Sequence, residues 1–300
     1  MTSAQSLLLI LVCAACARPF WVAADAPAVS GLKAMEHVRA QVALGPRPPG
    51  SEALQKCREY IARQLRSYGY QIQEDAFDCQ TPYGTKKMVN LIAHRGGTNK
   101  GVIALASHYD TKYMEGINFV GANDAGASTG LLLELARVLA GSREALDYWF
   151  VFLDGEEAWI EWSSFDSTYG SRHLASRWKQ EGVTAKMRAF LLLDMIGDRD
   201  LDLWYDTNST PWLMDIVWQT AQKTGLGGIL GTMRGGIEDD HLPFRETGIP
   251  VVDIIDLNYG PDNSFHHTAQ DSLDKVSPES MEKVGRLVMT VLARIQERLK

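Results

Sequence analysis

The chain has 300 residues, 45% of them hydrophobic, with 37 acidic against 30 basic side chains and a formal net charge of −7. That length and apolar fraction allow a substantial buried core. The acidic balance, with a pI near 5.5, excludes a protein whose main partner is nucleic acid, because phosphate binding shows as a basic excess. A small molecule or a peptide is the expected substrate.

The first segment, MTSAQSLLLILVCAACARPFWVAADA, carries an apolar stretch from Leu7 to Ala17, followed by small residues of the kind found at cleavage sites. The stretch is too short to span a bilayer comfortably. Residues 1–26 therefore read as an export signal, cut after Ala24 or Ala26, although no lysine or arginine precedes Leu7. The expectation is a periplasmic or secreted protein with no stable membrane span once the signal is gone. Its removal takes away Cys13 and Cys16 and leaves Cys57 and Cys79, which an oxidising compartment would allow to pair. Two cysteines make no thiolate framework for zinc, so a metal site must use carboxylates and histidines.

Beyond about residue 30 no repeat or low-complexity linker interrupts the evenly spaced apolar blocks, and residues 27–300 read as a single domain. SGLKAMEHVRAQVALG has helical apolar spacing, and SEALQKCREYIARQLRSYG opens on a serine cap and closes on Gly69. YQIQEDAFDC and KKMVNLIAHR follow as strands, the first alternating as a half-buried strand does. GVIALASHYD, DYWFVFLDGEE, RAFLLLDMIG and GIPVVDIID are near-continuous apolar runs, the pattern of central strands buried on both faces. The helical segment AGASTGLLLELARVLAG separates the first two, YGSRHLASRWKQEG separates the second and third, and a last helix runs from Ser277. The predicted class is α/β, with a mixed, parallel-rich central sheet flanked by helices on both faces and ligands bound beyond the carboxyl ends of the strands.

That rule gathers chemistry at one edge. His108 and Asp110 close the first apolar run, Glu156 and Glu157 follow the second, and Asp194 ends the third. Singly, each has an ordinary reading: Asp110 or Asp194 as a cap or turn residue, the glutamates as a solvated loop, His267 as a cap before the last helix. Asp124, in GANDAGASTG, would ordinarily be the N-cap of the helix that follows. Jointly they form a histidine and carboxylate set suited to Zn²⁺.

In chain order, HYD from His108, GAND from Gly121 to Asp124, DGEE, LLLDMIG and HHTAQDSLDKV resemble the zinc-dependent M28 peptidase family over residues 30–298. The resemblance implies a zinc aminopeptidase-like fold, with Asp124, Glu157 and His267 as ligands of a first zinc. It also implies that His108 and Asp194, with Asp124 bridging, match the positions of a second zinc in the family's aminopeptidases. Glu156 matches the general acid/base, and Asp110 would accept the other ring N–H of His108.

Three stretches resemble the glutaminyl cyclase branch of that family: EEAWIEWSSFDSTYGSRHLA, HYDTKY with Lys112, and IEDDHLPF with Asp239 and Asp240. That branch implies one zinc, with Asp194 and Asp239 as hydrogen-bond partners near the leaving group and with Trp162 and Lys112 at the substrate. Trp159 reads as packing, and His241 as a packing or capping histidine. Animal-type cyclases carry tryptophan directly before the last zinc histidine, where this chain has His266, so the pocket wall differs there and His266 competes as a ligand. The implied activity is glutaminyl-peptide cyclotransferase, acting as a monomer on peptide or protein N-termini. The alternative is a two-zinc aminopeptidase; an inactive binding module on the same fold predicts lost ligands, and none is lost.

Overall fold

A computed structural model of the chain describes residues 28–96, 100–141 and 146–299. The expected export signal, with Cys13 and Cys16, lies outside the described residues. In chain order the elements are helices α1 (Gly31–Val42) and α2 (Glu52–Ser67), strands β1 (Gln71–Thr81), β2 (Gly84–His94) and β3 (Val102–His108), and helix α3 (Gly126–Leu139). There follow β4 (Asp147–Leu153), α4 (Tyr169–Gln180), β5 (Met187–Asp194), β6 (Leu203–Asp206), α5 (Pro211–Lys223), β7 (Leu230–Gly235), α6 (His241–Glu246), β8 (Val251–Ile255) and α7 (Pro278–Arg298).

The capping signals work as the sequence suggests. The Ser51 side chain accepts the N–H of Leu54 at the start of α2, and Ser277 accepts that of Ser280 at the start of α7. Gly69, at φ 86°, takes the left-handed conformation just past the end of α2.

Six strands form one sheet in the order β1-β2-β4-β3-β5-β8. Strands β4, β3, β5 and β8 run parallel to one another, while β2 pairs antiparallel with both β1 and β4. The central runs alternate faces: Ile103 and Leu105 join the core beneath α1, α2, α3, α5 and α7, and Val102, Ala104 and Ala106 join that beneath α4 and α6. This period of two explains why apolar runs without polar gaps become strands here. Each such side chain removed from water contributes about 1.5–3 kcal/mol.

Two features depart from expectation. A separate two-stranded sheet, β6 with β7, stands beside the main one. Cys57 and Cys79, whose pairing the sequence left open, are both free thiols, the first buried on α2 and the second half-buried on β1.

The antiparallel β2 is tied to the end of β4 by side chains. The N–H of Val89 donates to Asp154 Oδ2 at 2.7 Å, and the N–H of Asp154 donates to Asn90 Oδ1 at 3.0 Å. Burial, followed by the nearby Asp110, pushes the Asp154 carboxyl up to about 8. The folded chain therefore keeps a proton there that the unfolded chain loses near the ordinary carboxylate value, so this group's contribution to stability falls as pH rises from about 4 to about 8. Asp154→Asn holds the neutral form at every pH. Its melting temperature should decline less than that of the wild type between about pH 5 and about pH 8; parallel declines would show that Asp154 is not the cause.

Candidate active site

Parallel pairing brings the carboxyl ends of β3, β4, β5 and β8 to one edge, with His108 opposite Leu153 and Asp194 opposite Ile255. Three loops complete the site. The loop after β3 carries Asp124. Gly121 there sits at φ 52°, and a Cβ at that position would collide with the Asp124 carbonyl. Asp271 holds this loop by accepting the N–H of Asn123 at 2.8 Å and of Asp124 at 3.1 Å, and is itself held by the Tyr259 hydroxyl at 2.8 Å. Asp124 is not the cap of α3: Ala125 occupies that place, without a side-chain bond.

The loop after β4 is shaped by Asp110. Its two oxygens accept the N–H groups of Glu156 at 3.2 Å and Glu157 at 3.4 Å. Asp110 also stands 3.5 Å from His108 Nδ1, at the limit of hydrogen bonding, so its principal contacts orient the glutamate pair. The third loop places His267 in the left-handed region, φ 50°.

The imidazole of His267 joins the other expected residues. Its Nε2 lies 3.2 Å from Asp124 Oδ2 and 3.2 Å from Glu157 Oε2. The second expected group also gathers, with His108 Nε2 at 3.1 Å from Asp124 Oδ1 and 3.2 Å from Asp194 Oδ1. His266 Nε2 is 4.0 Å from Asp124 Oδ2, and Asp124, His266 and His267 also form a set with donors within 4.8 Å of one another. The competition expected from His266 is thus geometrically real, although its other nitrogen is already shared with Asn263 at 3.2 Å.

The donor chemistry fits a divalent cation. Both Glu157 oxygens are buried without a hydrogen-bond partner among the described residues, which a cation at the His267 group would relieve. Burial raises the Asp124 carboxyl, but the hydrogen bonds of His108 and His267 outweigh it and hold the group well below the carboxylate range. Burial opposes protonation of His267, yet Glu157 and Asp124 push it up to about 10. Burial, reinforced by Glu157, Asp239 and Asp240 against the opposing His108, holds Glu156 well above the usual range.

A cavity of about 380 Å³ opens over these groups, lined by Glu156, Trp162, Asp194, Asp239 and His267 among others, with Met195, Ile237, Ile255 and Leu257 giving it apolar walls. Trp162 lies at the cavity as expected, while Trp159 packs with Met88 and Tyr169. Lys112 is not among the lining residues: its ammonium donates to the Ala158 carbonyl at 2.7 Å and stands 3.6 Å from Glu157 Oε2. Asp240 is buried behind Asp239, whose carboxylate accepts the Asp240 N–H. Sequence reasoning did not single out Asp206 and Asp253, both buried near His241. The visible signal was a charged residue inside the otherwise apolar strand PVVDII.

Comparison with known proteins gives this arrangement a kinship. The profile of peptidase family M28 matches residues 90–292. A glutaminyl-peptide cyclotransferase of Drosophila melanogaster is 30% identical over 81% of this chain and 75% of its own. The crystal structure of a glutaminyl cyclase from an Acidobacteriales bacterium superposes with a TM-score of 0.87 at 42% identity, covering 91% of this chain and 96% of the other. A zinc-dependent exopeptidase from Parabacteroides distasonis shares the fold, with a TM-score of 0.79 at 24% identity over 89% of this chain and 99% of that one. With the motif order, the sheet and the residues at its edge all in agreement, the chain belongs to peptidase family M28, in its glutaminyl-peptide cyclotransferase branch.

Proposed function

We propose that the chain is a glutaminyl-peptide cyclotransferase that converts the N-terminal glutamine of peptides and proteins to pyroglutamate with release of ammonia. The observation that carries the reading is the buried Glu156 carboxyl standing in the cavity wall beside His267, Asp124 and Glu157, in a chain whose relatives are glutaminyl cyclases. Residues 27–300 would be the catalytic domain and residues 1–26 the export signal, a reading supported by the apolar run and small residues of that segment. No helix among the described residues is long and apolar enough to cross a membrane.

Asp124, Glu157 and His267 would hold one zinc ion, an oxygen, oxygen and nitrogen set that leaves a position open. When bound, zinc supplies Lewis-acid polarisation of the amide oxygen. The chain's own residues do the rest. The substrate's α-amine attacks its γ-carboxamide carbon, the ring C–N bond forms, and the bond to the amide nitrogen breaks. Glu156 takes the proton from the attacking amine and returns it to the departing nitrogen, which leaves as ammonia. A carboxyl held up by burial suits both halves of that shuttle. Asp194 and Asp239, also cavity-lining, would hydrogen-bond near the leaving group, and Trp162 would close one side of the glutamine pocket.

The His108, Asp124 and Asp194 group favours a second reading, a two-zinc aminopeptidase in which Glu156 activates water. Product and metal separate the two. Peptides beginning with glutamine should yield ammonia and pyroglutamate with one zinc per chain; release of the free first amino acid would establish the peptidase instead.

Glu156→Gln should lower kcat by about 10²-fold or more with zinc content unchanged, as expected for loss of an acid/base group. Full retained activity would remove the assignment. Asp271→Asn tests the support behind Asp124: zinc affinity, measured by competition with a chromophoric chelator, should fall about 10- to 100-fold. Undiminished affinity would show that the Asp124 loop needs no such anchor.

A further inference from the structure

Behind the cavity wall lies a second group of buried charges that the proposed cyclisation does not use. Asp239, His241 and Asp253 each bring one donor atom within 4.8 Å of the other two. His241 opens α6, Asp253 is the middle residue of β8, and Asp206 ends β6, so three elements converge there. His241, Asp206 and Asp253 are each 0% exposed and Asp239 is 4% exposed. Both ring nitrogens of His241, both oxygens of Asp253 and Oδ2 of Asp239 have no hydrogen-bond partner among the described residues.

Asp206 is the fixed point of the group. Its carboxylate accepts the N–H of Asn208 at 2.8 Å, the N–H of Ile237 at 3.0 Å and the Ser209 hydroxyl at 2.7 Å. Burial raises this carboxyl, but His241 and Ser209 outweigh burial and hold it below the usual range. His241 Nε2 stands 3.2 Å from Asp206 Oδ2, within ion-pair distance of that carboxylate although not aligned as a hydrogen bond. The ring is oriented with Nδ1 toward Asp253 Oδ2, 3.8 Å away. Asp253 is tied to the same anchor, because its N–H donates to Ser209 Oγ at 2.9 Å.

Asp239 is the member of the group that reaches the cavity. Its Oδ1 accepts the N–H of Asp240, while Oδ2 has no hydrogen-bond partner among the described residues and the carboxyl lies in one group with the His241 imidazole and the Asp253 carboxyl. The group is looser than the 3.1–3.2 Å contacts around His108 and His267, which argues for protons rather than a cation as the means of relieving its charge. In accord with that, burial and neighbouring carboxylates hold both Asp239 and Asp253 well above the usual range.

We propose that His241, anchored by Asp206, is a positioning residue for the cyclisation: together with Asp253 it fixes the orientation in which Asp239 meets the leaving amide nitrogen. The inference rests on the assignment of Asp239 to the leaving group.

The test is a double-mutant cycle with a Gln-initiated peptide as substrate. His241→Asn should lower kcat about tenfold with KM changed less than about twofold, and in an Asp239→Asn background the same substitution should cost less than about twofold. Asp206→Asn, which keeps the shape of the side chain, should reproduce this pattern and carries the test if His241→Asn fails to fold. Its crystal structure should show the Asp239 carboxyl turned from its wild-type orientation, a readout independent of activity. Equal losses in both backgrounds, an unmoved Asp239, or loss of one metal equivalent from Asp206→Asn would overturn the proposal. An Asp239→Asn enzyme as fast as wild type would instead remove the role of Asp239 itself, leaving the Glu156 chemistry standing.

Discussion

Carboxylates buried side by side at one sheet edge repel one another in a medium that cannot screen them, and that repulsion is the constraint around which the site is built. Asp110, Asp124, Glu156, Glu157, Asp194 and Asp239 are all buried there. Asp110 takes two backbone N–H groups, Asp124 takes His108 and His267, and burial with neighbouring carboxylates holds Glu156 and Asp239 well above the usual carboxylate range. Glu157 is left with both oxygens orphaned beside the His267 imidazole. A metal cation at that point answers the remaining demand, which is why the donor set reads as a metal centre and not as an ordinary acidic surface.

The same constraint assigns different work to adjacent glutamates. Their N–H groups go to the two oxygens of one carboxylate, so Asp110 fixes the loop on both sides of the peptide bond joining them. Glu157 then meets His267, while Glu156 lies near the far ring nitrogen of His108, 3.9 Å from Nδ1. Successive side chains in such a loop diverge, and that divergence is what would let Glu157 serve as a ligand and Glu156 as a proton carrier in the proposed reaction.

Much of this was legible in the sequence. Unbroken apolar runs ending in HYD, DGEE and LLLD announce parallel strands whose chemistry lies just past their ends, and the structure puts those residues together. What was missed has physical reasons. Strands β6 and β7 have exposed or half-buried positions and pair only with each other, so neither shows the apolar continuity that marked the central sheet. Helix α5 does carry helical spacing in Leu213, Met214, Val217 and Ala221, with Pro211 at its start, but its polar positions and the short strands around it blur the pattern. Lys112 looked like a substrate contact because it follows the HYD motif, yet its length lets it reach back to Ala158. Residues such as Asp206 and Asp271 act through partners 35 and 147 residues away, and no local spacing encodes such contacts.

Access distinguishes the two donor groups that share Asp124. Glu157 and His267 line the cavity, and the His267 side chain is 29% exposed, so a substrate can approach a centre held there. His108 is absent from the cavity wall and 1% exposed, closed behind Asp124 and Asp194. Its imidazole is held well above its usual range by Glu156 and the surrounding aspartates in spite of burial. The outer group combines open access with the unsatisfied oxygens of Glu157. In the proposed cyclisation, attack by the substrate's own amine would need one polarising centre and one proton carrier, the complement that the outer group and Glu156 would supply.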